Sequence, residues 1–88
     1  MKIILSTFPN ERDARDTDYD WLDKGIAACT QIQGLTQSLY KWNGDIINEQ
    51  ERKISLKASN ENVERVYGVM FENHFYDTPS WIVIDATG

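Results

Sequence analysis

The 88 residues suffice for one small domain, read as residues 1–88, and a chain of this size buries only about 60–65% of the surface it exposes when unfolded. Hydrophobic residues are 41% and charged residues 26%, too apolar for disorder, and nine Lys and Arg against 14 Asp and Glu give a net charge of −5. That acidity argues against nucleic acid and anionic membrane surfaces as partners, and the single cysteine, Cys29, excludes an internal disulfide framework or an all-cysteine metal cage in one chain.

The chain opens with Ile3, Ile4 and Leu5, running on to Phe8, which reads as a short buried strand. This apolar run is shorter than a signal peptide or a membrane span requires, so the chain is expected to be cytoplasmic. Pro9-Asn10 ends the strand. Residues 11–24 carry a weak helical face of Ala14, Thr17, Trp21 and Leu22, with Asn10 as N-cap and Gly25 as the stop. The six acids and three bases of this segment read as a solvated face. Asp16, Asp18 and Asp20 have the spacing of a calcium loop, but its sixth and twelfth positions are Trp21 and Ala27 instead of Gly and Glu, which excludes it.

Ile26-Ala27-Ala28-Cys29 is expected to open a second strand. Ser38, Tyr40 and Trp42 alternate with Leu39 and Lys41, and Asn43-Gly44 follows at once. That dipeptide between alternating runs signals a two-residue hairpin, whose central residues both need positive φ. The return strand runs from about Ile46 to Ala58. Ser59 and Asn60 are placed to cap a second helix, with a core stripe of Val63, Val66, Tyr67 and Met70. Thr78-Pro79 forces extended backbone, and Trp81 to Ile84 form a last strand. The order βαββαβ is that of the α+β ferredoxin-like sandwich. One antiparallel sheet carries both helices on one face and leaves the other uncovered, with Tyr40, Trp42 and Trp81 expected near it.

Cys29 and His74 are the soft or borderline metal ligands, apart from Met1 and Met70. Thiolate and imidazole suit copper or zinc, and Cu(II) binds imidazole most tightly among the divalent first-row ions. Two donors do not fill a coordination shell, so a site needs Asp77, Glu51 or a group from another subunit. The plainer reading, and the favoured one for Cys29, is a small buried core residue. For His74 the plainer reading is a helix C-terminal cap.

Four segments in order are similar to those of a known family. Ser6 to Asn10 resembles its opening T-x-x-P stretch, and Ile26-Ala27-Ala28-Cys29 stands where it has L-A-A-C. Ser38 to Ile46, then Glu51 and Lys57, follow its S-x-Y-x-W-x-G-x-I, E and K pattern, and His74 to Pro79 resembles its H-P-Y-x-x-P loop. The chain thus resembles the CutA proteins, named for divalent-cation tolerance, over nearly its whole length. Phe75 replaces the usual Pro, Thr17 and Asp18 stand where the family has apolar or small residues, and the family's short C-terminal strand and helix are not found before Gly88. The resemblance implies a PII-like homotrimer associated with metal tolerance and copper binding, with no agreed reaction. It also implies that Tyr40, Trp42, Glu51, Lys57, Tyr76 and Trp81 approach a subunit boundary. There they would make an interface or a cleft for a small anionic ligand, as related PII trimers hold nucleotides.

Rival functions of the same fold lack their residues. An RNA-recognition sheet needs aromatics on its central strands, and Arg52 to Lys57 has none. A copper chaperone carries Cys-x-x-Cys where Thr7 to Asn10 stand, and an acyl-phosphate hydrolase needs an Arg-bearing glycine-rich loop there. No phosphate loop or nucleophile–base pair is placed by the sequence, so the chain is not expected to be an enzyme or to hold an organic cofactor.

Overall fold

Every second residue of the first strand is apolar or small, and this alternation sets its two faces. The computed structural model describes residues 1–73 and 80–86. Strand β1 (Lys2–Phe8) turns Ile4, Ser6 and Phe8 into the core and leaves Ile3, Leu5 and Thr7 half-buried on the opposite face. Helix α1 (Glu11–Asp23) begins where the Asn10 side chain, on extended backbone, accepts a hydrogen bond from the Asp13 N–H at 2.8 Å. It ends in a Schellman turn. Gly25 takes φ +69° and donates to the Leu22 carbonyl at 3.0 Å, while Ile26 N–H donates to the Trp21 carbonyl at 3.1 Å.

That turn corrects the expected start of the second strand. The N–H groups of both Ile26 and Ala27 point back to the Trp21 carbonyl, and sheet pairing starts only where Ala28 N–H donates to the Lys57 carbonyl at 2.8 Å. Strand β2 (Cys29–Trp42) therefore opens at Cys29, and Ile26 and Ala27 belong to the helix end and the core.

Strand β3 (Asp45–Ala58) returns through Asn43 and Gly44, at φ 51° and 84°, the two positive angles a type I′ turn needs. Ile32 faces Ile54 and Leu35 faces Arg52, so β2 carries one extra residue there, a bulge that bends the ribbon. A 3-10 turn (Asn60–Asn62) leads into α2 (Val63–Glu72), and β4 (Trp81–Asp85) closes the sheet. The strand order is β2-β3-β1-β4 with every pair antiparallel. The fold is the expected α+β ferredoxin-like arrangement.

The core lies between the sheet and the helices. Trp21 meets Phe8 at 6.0 Å between ring centroids, and its indole N–H donates to the Val66 carbonyl at 3.0 Å, tying α1 to α2. The Ser6 hydroxyl donates to the Ser80 carbonyl at 2.6 Å. Two expectations for α1 are corrected here. Leu22 is 42% exposed and outside the core, and Asp18 takes the inward place, because spacings of four and three residues set it on the face of Ala14 and Trp21. Among the described residues, no helix is long and apolar enough to cross a membrane.

Candidate functional site

The sheet face away from the helices gathers most of the singled-out residues. Residues directly opposite each other in a ladder share a face. Ile3 and Cys29 both pair with Lys57, Thr36 with Glu51, Tyr40 with Ile47 and Trp42 with Asp45. Alternation along β3 then puts Cys29, Lys57, Glu51, Tyr40 and Trp42 on one side, with Ile82 and Ile84 of β4 on the same open face.

Two expectations fail on this face. Cys29 is exposed and not a core residue, because its pairing with Lys57 turns it away from the helices. Trp81 lies on the other side of the sheet. It pairs with Ser6, packs against the core and meets the Tyr67 ring edge-on at 5.0 Å. His74, Tyr76 and Asp77 lie outside the described residues.

The singled-out residues share a face but are spread along it. Six steps along β3 lead from Glu51 to Lys57, the partner of Cys29, which is roughly 20 Å of extended strand. Glu51 of the same chain therefore cannot share an ion with Cys29. Among the described residues, no three His, Cys, Asp or Glu side chains converge as a metal site.

Charge is sorted along the same face of β3. Asp45, Glu49 and Glu51 stand toward the hairpin tip, and Lys53 and Lys57 toward the other end. Tyr40 donates its phenol hydrogen to the Glu49 carboxylate at 2.8 Å, and this bond, with the charges of Glu49 and Glu51, raises the phenol pKa above its ordinary value. Glu51 is buried where the ribbon joins the sheet body, while Lys57 is exposed and holds no ion pair among the described residues. At the tip Trp42 is 65% exposed and Ile46 76%.

Comparison with known proteins agrees with the fold. A family model for "CutA1 divalent ion tolerance protein" matches residues 2–88. The divalent-cation tolerance protein CutA of Thermotoga maritima is 31% identical over 80 residues, covering 91% of this chain and 78% of that protein. Among solved structures, the divalent ion tolerance protein CutA1 from Ehrlichia chaffeensis superposes with a TM-score of 0.92 at 32% identity, over 99% of this chain and 81% of that one. The PII-like protein CutA from Nostoc sp. PCC 7120, in apo form, gives 0.84 at 30% identity, over 98% of this chain and 81% of that one.

Proposed function

The chain belongs to the CutA1 divalent ion tolerance family, and on that premise we propose that it acts in the cytoplasm as a homotrimer that binds divalent metal ions, copper foremost, in tolerance of and response to those ions. Residues 1–88 are read as a single domain.

The observation that carries this reading is the open sheet face. It presents Ile82, Ile84, Tyr40 and Trp42 to solvent, and a 14-residue ribbon extends from its edge. So much apolar surface and so long an edge call for cover. Acid at the ribbon tip and lysines at its base let a neighbouring copy, laid head to tail, set opposite charges against each other. A cyclic trimer closes such contacts. Tyr40, Trp42, Glu51 and Lys57 are then interface residues, joined by Tyr76. Trp81 is set apart from them by its place on the helix side.

For the metal, Cys29 supplies an exposed thiol on that face and His74 an imidazole, a donor pair that suits copper. Asp77 or a group from the neighbouring subunit completes the shell. Calorimetric titration of metal-stripped protein with Cu(II) tests this assignment. Cys29→Ala and His74→Ala are each expected to weaken copper binding at least about tenfold; wild-type affinity in both variants contradicts it.

A second reading has its own support in Lys57, exposed with no ion pair among the described residues. In a PII-like sensor, Lys57 is the charge partner of a small anionic ligand held between subunits. A nucleotide and metabolite screen that produces no ligand-dependent melting shift counts against it.

A further inference from the structure

Helix α1 and strand β2 part beside the sheet edge, and a groove of about 330 Å³ opens between them. Tyr19, Leu22 and Ile32 give it apolar walls, and Arg15, Asp18 and Thr30 supply its polar atoms. Asp18 lines this groove at 3% exposure; the Thr30 hydroxyl lies close enough to act on its carboxylate but falls short of a full hydrogen bond, so both oxygens lack one among the described residues. Native proteins rarely leave a buried carboxyl unmatched, because an ionised carboxylate taken out of water without a partner is strongly disfavoured.

The neighbouring charges do not match it. Arg15 is the one cation among the groove's lining residues, and its guanidinium is turned to Glu11 at 2.9 Å. Strand β2 faces the carboxyl with the uncharged Thr30 and Ile32. Burial accordingly pushes the Asp18 pKa up to about 7, an effect the Thr30 hydroxyl only partly offsets.

We propose that this groove binds an organic cation, an alkylammonium or guanidinium group, with Asp18 as its counter-ion and Tyr19, Leu22 and Ile32 packed on its alkyl part. The chemistry favours this occupant over others. A divalent metal ion needs several oxygen donors, and here there is one carboxylate. An anion meets Asp18 unfavourably. An amine with a short apolar chain packs on the apolar walls, and a turn of the Asp18 side chain toward the groove brings its oxygens, closed to solvent in this structure, to the cation. Two sources present that group: a free amine, or a Lys or Arg side chain of a second copy of this chain. The inference stands apart from the copper reading, since it shares no residue with it.

The test uses n-butylammonium and its uncharged counterpart n-butanol, on the whole protein and on Asp18→Asn. Binding is read by thermal shift, and assembly by native mass spectrometry. The variant keeps the shape of the side chain and removes its charge, and its circular dichroism is compared with that of the wild type before binding is read. If the cation is a free amine, n-butylammonium stabilises the wild type and binds it at least about tenfold more tightly than the variant. That binding is tighter at about pH 8 than at about pH 6, because a proton competes for the same carboxylate, and n-butanol has no effect. If the cation is a side chain of a second copy, n-butylammonium binds neither protein, and the variant's assembly dissociates at a concentration at least about tenfold higher than the wild type's. Equal binding of n-butylammonium to both proteins overturns the proposal. So does an absence of binding together with unchanged assembly.

Discussion

From Arg52 to Ala58, β3 lies between β2 and β1 and carries buried Ile54, Leu56 and Ala58; from Asp45 to Gln50 it pairs with β2 alone and is exposed almost throughout. One strand thus obeys two rules. In the body, burial against α1 and α2 holds it, and each inward side chain contributes by leaving water. In the ribbon, the Asn43-Gly44 turn and cross-strand pairs such as Tyr40 with Glu49 set its geometry, with little burial behind them. A two-stranded ribbon is marginal in water on its own. The body is therefore expected to be the seat of subunit stability, and the ribbon the seat of assembly.

The sharpest way to break that contrast is Trp21→Ala. Removing a buried tryptophan costs about 3–5 kcal/mol, and here it also removes the bond to the Val66 carbonyl. In a domain of marginal stability this approaches complete unfolding, which urea titration followed by circular dichroism will show. A loss below about 1 kcal/mol would move the seat of stability elsewhere.

Asp18 sets a pH test within the body, of similar size. Its pKa is raised from 3.8 to about 7 by burial. Below about pH 4 both folded and unfolded chains hold the proton. As pH rises toward about 7, only the unfolded chain ionises, and stability is lost, by a few kcal/mol at most once solvent screening is allowed for. Above that pH the folded chain ionises too and the loss levels off. Asp18→Asn is expected to lack this decline, so the two proteins diverge with rising pH in urea unfolding. Parallel curves from acid to neutral pH would show that Asp18 is solvated.

In the ribbon, Gly44→Ala forces a side chain to φ 84° and costs about 1–2 kcal/mol. The loss should appear first as weakened protection of the hairpin amides, with the β1 amides spared. Trp42→Ala, at the exposed tip, is expected to change subunit unfolding by no more than about 0.5 kcal/mol while raising the concentration at which the assembly dissociates. A large loss of subunit stability with assembly intact would reverse the contrast.

These two regions also differ in how far they could be read from the residues alone. Asn43-Gly44 announced the hairpin because its requirement is local: few residue pairs accept two positive φ angles. Asn10 and Gly25 marked the limits of α1 for the same reason. The site was less legible, because facing depends on partners distant in sequence. Cys29 turns outward through its register with Lys57, and the Schellman turn takes Ile26 and Ala27 out of the strand, so alternation counted from Ile26 misleads. Asp18 has the helical spacing of a core residue, but its charge argues for the solvated face. The spacing prevailed, and the result is an unmatched buried carboxyl. Trp81 read as an open-face aromatic because its side depends on pairing with Ser6, more than 70 positions earlier in the chain.

The central claim is that copies of this chain cover the open face and present Cys29 and His74 to metal. Native mass spectrometry of metal-stripped protein, across dilution and with added Cu(II), tests it most directly. The expected species is a trimer that persists on dilution and takes up about one copper per chain. A monomer at all concentrations, or a trimer that ignores copper, would contradict it.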